Sequence, residues 1–175
     1  MAISLYDATI RSFIQTLEAT DGFLQKGLDH LLEKGIDPQE VVDMQLAPDM
    51  FPFRFQIISV AHHSFGAWEG VKSGVFGPPN GAQSLDYAAL QGLVRDALAG
   101  LKAVTPDEVN AFEGKDVVFK LGERAMPFTA EGFLLSFSMP NVHFHASTAY
   151  GMLRAKGAPI GKRDYMGMPR IKGMG

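Results

Sequence analysis

A long amphipathic segment near the start of the chain places the tightest constraint on the fold. From residue 4 to residue 34, apolar side chains return every three to five positions, close to the period of an α-helix. These side chains are Leu5, Ala8, Phe13, Leu17, Phe23 or Leu24, Leu28 and Leu31. Ser4 is a suitable N-cap, and Gly35 followed by Pro38 supplies a stop signal. The pattern predicts a first helix from Ser4 to Lys34.

Three further stretches show the helical period. They are a second helix from Pro48 or Asp49 to Lys72, a third from Leu85 to Val104 with Ser84 as its N-cap, and a fourth reaching Lys156 with Thr129 as its N-cap. Residues 117–121 and 125–129 are β-rich and flank a turn, so they predict a small hairpin before the fourth helix. Pro140 should kink that last helix, and two helices broken at Met139 are the alternative.

Four long helices in a chain of 175 residues predict a mainly α, single domain that covers residues 1–175. The expected architecture is an up-down-up-down four-helix bundle with the β-hairpin inserted before the last helix. In such a bundle the second and fourth helices run parallel across a diagonal, and both point inward. Residues 161–175 carry four Lys or Arg against one Asp, and we expect them to form an extended arm.

Composition removes several classes of function. The chain has no Cys, which excludes disulfides, thiolate nucleophiles and Cys-ligated zinc. Its 16 Lys and Arg against 19 Asp and Glu give a net charge of −3, unlike a general nucleic-acid binder. No run of about 18 uncharged apolar residues is present, and Asp7 and Arg11 interrupt the stretch where an export signal would lie. We therefore expect a cytoplasmic protein with no membrane span and no nucleic-acid partner.

Two of the five histidines are predicted to face each other inside the bundle. His63 lies 14 residues into the second helix and His145 lies 15 residues into the fourth. Both should therefore sit about 21 to 22 Å along helices that start level. His62 points about 100° away from His63 and cannot share its face. The imidazoles of His63 and His145 are expected to meet at one height in the interior.

Polar residues at helical spacing accompany both histidines. They are Gln56 and Ser59 on the second helix, and Asn141 and Thr148 on the fourth. Buried polar groups cost free energy unless they are paired or coordinate something. The set predicts a polar pocket inside an otherwise apolar bundle. A metal site, a metal-free pocket and ordinary hydrogen-bonded core histidines all agree with it.

The basic start of the C-terminal segment gives a second and weaker signal. Lys162 and Arg163 stand beside Asp164 and Tyr165. The two cations could bind an anionic ligand at the mouth of the bundle. Alternatively, ion pairing within the chain fastens this tail to the bundle.

Several longer motifs resemble one known superfamily. They are Ser4–Thr9 (SLYDAT), Leu46–Pro52 (LAPDMFP), Pro140-Asn141 with Phe144-His145, Thr148–Tyr150 (TAY) and Ile160–Tyr165 (IGKRDY). In this order, and across almost the whole chain, the motifs resemble the DinB/YfiT-like superfamily of four-helix-bundle metalloenzymes. Within it, the chain is most similar to the branch called domain-of-unknown-function family nineteen-ninety-three.

The resemblance implies a divalent metal ion (nickel, zinc or manganese) held by three histidines. One histidine comes from the second helix and two come from an HxxxH pair on the fourth, and some members are thiol-cofactor-dependent transferases. His63 matches the position on the second helix, and His145 matches the first member of the pair. The second member of the pair falls on Ala149, which cannot bind a metal.

Two functions from different classes follow from these patterns. The first is a DinB-like homodimer in which His63 and His145 bind a metal or act as acid–base groups on a small molecule, while Gln56 and Asn141 orient it. The second is a non-catalytic dimeric interaction module without metal. In that case the apolar end of the bundle and the basic tail contact a partner.

Overall fold

The computed structural model describes residues 3–80 and 84–173, and it is mainly helical with one small sheet. The α-helices are α1 (Leu5–Ala8), α2 (Ile10–Glu33), α3 (Pro38–Val42), α4 (Phe53–Ala61), α5 (Ala67–Ser73), α6 (Tyr87–Ala103), α7 (Pro106–Asn110), α8 (Ala130–Gly132), α9 (Met139–Ala155) and α10 (Lys162–Met166). The other elements are two π-helical segments, His62–Gly66 and Phe133–Ser138, and the strands β1 (Val75–Phe76), β2 (Asp116–Leu121) and β3 (Arg124–Thr129). No helix within the described ranges has the length and apolar character that a membrane crossing requires.

The predicted first helix is interrupted near its start. The side chain of Ser4 accepts a hydrogen bond from the backbone N–H of Asp7 over 3.0 Å, as predicted for an N-cap. The helix then breaks at Thr9, whose hydroxyl donates to the carbonyl of Leu5 over 2.6 Å. The same hydroxyl-to-carbonyl bond forms at Thr16 and Thr20 inside the continuous α2, so it does not explain the break. The period of apolar residues does not reveal such a break.

The second helix begins at Phe53, later than the predicted start near residue 49. Its N-cap is Pro52, and a proline disfavours the helical conformation for the residue before it. The helix therefore cannot extend back through Phe51. From Phe53 onward, α4, the first π-helical segment and α5 form one continuous helix to Ser73.

The third helix, α6, starts at Tyr87 and is capped by Asp86. The carboxylate of Asp86 accepts a hydrogen bond from the backbone N–H of Ala89 over 2.8 Å. The predicted cap at Ser84 is therefore wrong. Asp and Ser are equally good N-caps, so the sequence alone cannot choose between two candidates that lie two residues apart.

The fourth helix runs without a break from Ala130 to Ala155, through α8, the second π-helical segment and α9. The alternative of two helices broken at Met139 is therefore wrong. The π-helical turns end just before Pro140, which has no N–H to donate to the preceding turn. The departure from regular α-helical bonding thus falls next to the proline, as the sequence indicates.

The predicted β-hairpin is confirmed: β2 and β3 pair in antiparallel fashion, with Val118 opposite Pro127. The structure adds β1, which pairs parallel to β2 with Phe76 opposite Phe119. Two residues between glycines carry no detectable period, so this strand was not predicted. The strand places the buried Phe76 ring against His62 and His63.

Helix α2 packs against α6 and α9, and α4 packs against the same two helices. The second and fourth predicted helices, α4 and α9, are therefore direct neighbours, and their expected placement across a diagonal is wrong. Short connections force consecutive helices to be neighbours, but residues 34–52 and 74–86 form long connections. The up-down-up-down order of helix directions stays a prediction.

The expected C-terminal arm contains the short helix α10, which packs against α2. The carboxylate of Asp164 in α10 pairs with the ammonium group of Lys26 over 2.5 Å. An ion pair thus fastens this tail, as one of the two interpretations of the segment predicts. Lys162 and Arg163 are exposed, and their anion-binding role stays a prediction. Residues 174 and 175 of the predicted arm lie outside the described residues.

Candidate functional site

The imidazoles of His63 and His145 meet between the second and fourth helices. Their ring centroids lie 6.0 Å apart and the ring planes are tilted by 14°. His63 belongs to the first π-helical segment, and His145 belongs to α9. The predicted convergence of these two rings is therefore confirmed, although the two helices are neighbours rather than diagonal partners.

Both helices change to π-helical turns beside this histidine pair. The first π-helical segment contains His63 itself, and the second contains Phe137, whose ring centroid lies 5.7 Å from that of His63. A π-helical turn inserts one extra residue and redirects the side chains that follow, and it occurs frequently at functional sites. The adjacent His62 lies in the same segment and donates from Nε2 to the carbonyl of Gly77 over 2.8 Å.

Gln56 fixes the orientation and tautomer of His145. The amide nitrogen of Gln56 donates to the backbone carbonyl of Phe51 over 2.9 Å, so its Oε1 faces the imidazole. Nδ1 of His145 lies 2.7 Å from that Oε1, which can only accept a hydrogen bond, so Nδ1 carries the proton. In the neutral ring Nε2 then holds a lone pair. This is the arrangement that orients histidines which bind a metal or accept a proton.

His63 is almost completely buried, with 5% of its surface exposed. Its Nδ1 has no hydrogen-bond partner among the described residues. Burial, and to a smaller extent the positive charges of His62 and His145 when protonated, lowers the pKa of His63 from 6.5 to about 3. Burial likewise lowers the pKa of His145 to about 4. Both rings are therefore neutral near pH 7.

Two buried serine hydroxyls on the same helices also lack hydrogen-bond partners among the described residues. One belongs to Ser59, one turn before His63, and the other to Ser138, two turns before His145. Both serines are fully buried. A buried polar group without a partner costs about 1–3 kcal/mol, so such groups in a folded protein need a physical reason.

A cavity of about 300 Å³ adjoins the histidine pair. Its walls are Phe51, Phe55, Ser59, His63, Pro78, Pro79, Phe119, Phe137, Asn141 and His145. Most of these side chains are aromatic rings or prolines. The site is thus an aromatic cavity with a few polar groups, rather than the polar pocket that the sequence predicts.

The aromatic walls carry a signal in the sequence that histidine spacing alone does not use. The second helix presents Phe55, Ser59 and His63 at intervals of four residues. The fourth helix presents Phe137, Asn141 and His145 at the same intervals. Each helix thus supplies one stripe of a phenylalanine, a small polar residue and a histidine. The walls formed by Phe119, Pro78 and Pro79 come from the sheet and its connections, and no local pattern predicts them.

The structure separates the four predicted pocket residues. Ser59 and Asn141 line the cavity, and the amide of Asn141 donates to the carbonyl of Phe137 over 2.7 Å. Gln56 lies behind His145 and contacts it directly. Thr148 is not among the described lining residues. Its hydroxyl donates to the carbonyl of Phe144 over 2.8 Å, within its own helix, which removes it from the predicted pocket set.

The three-histidine metal set that the family resemblance implies does not fit this cavity. Ala149 occupies the position of the third histidine and is fully buried. Within residues 3–80 and 84–173, no group of three His, Cys, Asp or Glu is placed to hold a metal. Catalytic metal sites usually have three protein ligands. The metal role of His63 and His145 as a pair stays a prediction.

A larger cavity of about 510 Å³ shares Pro78 and Pro79 with this one. Its described polar lining comes from His62, Asn80 and Asp96. We place the candidate site in the smaller cavity, because two buried and unpartnered polar side chains line that cavity. Size alone does not identify a binding site.

Comparison with known proteins agrees with this fold. A family model described as a domain of unknown function, DUF1993, matches residues 5–166. The 1.83 Å crystal structure of a DinB family member protein from Shewanella denitrificans matches with a TM-score of 0.75 and 24% sequence identity, over 96% of this chain and 94% of that one. No curated protein matches the chain. The chain therefore belongs to the DUF1993 family and has a fold like that of this DinB family member.

Proposed function

We propose that the protein binds a small organic molecule in the aromatic cavity between α4 and α9. Ser59, His63 and His145 supply the polar contacts. The observation that carries the proposal is that Ser59 and His63 both line one cavity, while the hydroxyl of Ser59 and Nδ1 of His63 are buried and lack partners among the described residues. A polar ligand in this cavity would lie against the two side chains, and a rotation of the Ser59 or His63 side chain toward it would give these atoms the hydrogen bonds that the chain does not supply.

The alternative of ordinary core histidines agrees less well with these contacts. A histidine kept only for packing is expected to have its ring nitrogens paired when it is buried. His145 meets this expectation at Nδ1, through Gln56, but His63 does not at its own Nδ1. The cavity beside both rings is large enough for one small molecule, at the lower end of the usual range for ligand sites.

Two neutral imidazoles give the site a defined chemistry. His145 presents Nε2 as a hydrogen-bond acceptor because Nδ1 donates to Gln56. A neutral imidazole also accepts a proton from a bound group in general base catalysis, and Nε2 of His145 is the nitrogen available for this role. The contacts within the chain therefore support binding first, with proton transfer at His145 as the chemistry that the site would permit.

Nuclear magnetic resonance of the histidine rings tests the proposal. The full chain is titrated with five probes up to about 10 mM, because molecules of this size bind in the millimolar range. The probes are phenol, anisole, cyclohexanol, benzoate and benzylamine. We expect at least one to shift the ring signals of His63 and His145 saturably. The absence of a saturable shift with all five would overturn the proposal.

Cavity-filling variants locate the binding. Ser59→Leu places a larger side chain in the cavity and should abolish the saturable shifts. Asn141→Leu fills the cavity from the other helix and serves if Ser59→Leu does not fold. Ser136→Leu adds the same side chain on the exposed face of the fourth helix and should leave binding unchanged. Unchanged binding in a folded cavity variant would contradict the proposed location.

A further inference from the structure

The geometry points to an uncharged aromatic molecule with a hydroxyl or N–H group as the ligand of the cavity between α4 and α9. This inference rests on the proposed function and specifies its ligand class. Three features of the cavity carry it: the arrangement of its rings, the absence of a formal charge among its described walls, and the hydrogen-bonding capacity of its polar groups.

Aromatic rings surround the polar groups of the cavity. Phe55 meets the ring of His145 edge-on, with centroids 5.9 Å apart. Phe119 and Phe137 lie 4.8 Å apart on another wall, and Phe137 also contacts His63. Aromatic rings prefer offset or edge-on contacts at 4.5–7 Å, and such pairs add about 0.5–1.5 kcal/mol beyond the burial of area. A flat ring in the cavity could make several of these contacts at once.

The described walls offer no counter-charge to an ionic ligand. Among the described lining residues there is no Asp, Glu, Lys or Arg. A carboxylate, phosphate or ammonium group would lose its hydration here without gaining an ion pair, and that loss is expensive. The cavity therefore selects against charged molecules.

The polar groups require a hydrogen-bond donor on the ligand. Nε2 of His145 accepts, because the Gln56 contact fixes the proton on Nδ1. The hydroxyl of Ser59 both donates and accepts, and it has no partner among the described residues. One hydroxyl or N–H group on the ligand can donate to His145. A hydroxyl can in addition accept from Ser59 once the Ser59 side chain, whose oxygen is fully buried in the structure, rotates toward the cavity.

The rim of the cavity extends the aromatic surface outward. Phe51 is 63% exposed and stacks on Phe55 with centroids 4.1 Å apart. This stacked pair offers a partly exposed apolar surface at the edge of the cavity. The ligand can therefore be longer than the cavity is deep, with its apolar part lying against this rim.

The five probes test separately the three properties assigned to the ligand, which are its aromatic ring, its hydrogen-bond donor and its lack of charge. Anisole keeps the ring of phenol but has no donor, cyclohexanol keeps the hydroxyl but has no aromatic ring, and benzoate and benzylamine keep the ring but carry a charge. We expect phenol to bind the cavity at least five-fold more tightly than each of the other four, measured from the ring signals of His63 and His145. In His145→Phe, phenol should lose its advantage over anisole.

Each other outcome counts against a different claim. If any of the four comparison probes binds within five-fold of phenol, the assignment of ligand class is wrong, while the proposed binding function stands. If phenol keeps its advantage over anisole in a folded His145→Phe variant, the assigned role of His145 is wrong. If none of the five probes shifts the two histidines, the proposed function itself fails.

Discussion

His145 donates a hydrogen bond from Nδ1 to Oε1 of Gln56 over 2.7 Å, and so joins the two helices that form the cavity. The carbonyl of Phe51 fixes the amide of Gln56 from the other side. This chain of contacts sets which nitrogen of His145 carries the proton, and it leaves Nε2 as an acceptor. The proposed chemistry of the site depends on that choice.

Gln56→Leu tests the relationship. The variant leaves Nδ1 of His145 and the carbonyl of Phe51 without their partner. We expect the free energy of unfolding to fall by about 1–3 kcal/mol, and the ring of His145 to populate both tautomers. Urea denaturation and the ring nitrogen shifts measure the two effects. Gln39→Leu, on an exposed glutamine whose side chain bonds only the exposed Asp43, is the matched control and should change stability by less than about 0.5 kcal/mol. An unchanged tautomer in Gln56→Leu contradicts the assigned role.

The two depressed histidine pKa values predict how stability depends on pH. A histidine has a pKa near 6.5 in the unfolded chain, against about 3 for His63 and about 4 for His145 when folded. Between these values the unfolded state binds more protons, so stability rises with pH and levels off above about pH 7. Acidification from pH 7 to pH 4.5 should therefore destabilise the protein.

A variant isolates the contribution of His63 to this pH dependence. His63→Phe has no titrating ring at that position, so its loss of stability between pH 7 and pH 4.5 should be smaller than that of the wild type. Urea denaturation at the two pH values gives the comparison. His30→Gln, on α2, controls for loss of a histidine outside the cavity. An equal pH dependence in wild type and His63→Phe would show that His63 titrates normally in the folded chain.

Ser59→Ala tests whether the buried hydroxyl lacks a partner. Removing a buried polar group that makes no hydrogen bond should leave stability unchanged or raise it by about 1 kcal/mol. The matched control is Ser64→Ala, because Ser64 is equally buried and donates to the carbonyl of Val60 over 2.7 Å. The control should lose about 1 kcal/mol in thermal or urea denaturation. A larger loss in Ser59→Ala than in Ser64→Ala would show that Ser59 is paired.

Ala149→His tests the metal prediction. If His63 and His145 are aimed at a common point, a third imidazole one turn after His145 should raise the affinity for Zn²⁺ or Ni²⁺ by more than about ten-fold over the wild type. Calorimetry on chelator-treated protein measures this change. Ala155→His, at an exposed position of the same helix, is the control. If Ala149→His folds and gains no affinity over the control, the pair is not arranged as a remnant of a metal centre.

The sequence predicted, from their rise along two helices assumed to start level, that the two histidines meet, although the second helix begins at Phe53 and α4 and α9 are direct neighbours. Helical spacing placed Ser59 and Asn141 on the cavity wall. Thr148 also fits the spacing, but its hydroxyl is bound to its own helix. Spacing predicts on which face a residue lies, and it does not predict which hydrogen bond its side chain will choose.

Other features depend on contacts that no local pattern contains. The two π-helical segments shift the register by one residue, a change too small for a periodic pattern to detect. Strand β1 forms because β2 pairs with it, and this pairing places the ring of Phe76 against that of His63. α4 can pack directly on α9 because the connections between the helices are long. The sequence does not predict the course of a long connection. The homodimer and the cytoplasmic location stay predictions.

A crystal of the wild-type protein soaked with phenol tests the central claim most directly. The account predicts an aromatic ring between α4 and α9, with its oxygen within hydrogen-bond distance of Nε2 of His145 and of the hydroxyl of Ser59. The account would be contradicted by a structure in which phenol binds fully at another place on the protein. In that structure Nε2 of His145 and the hydroxyl of Ser59 would be bonded to each other or to other groups of the chain.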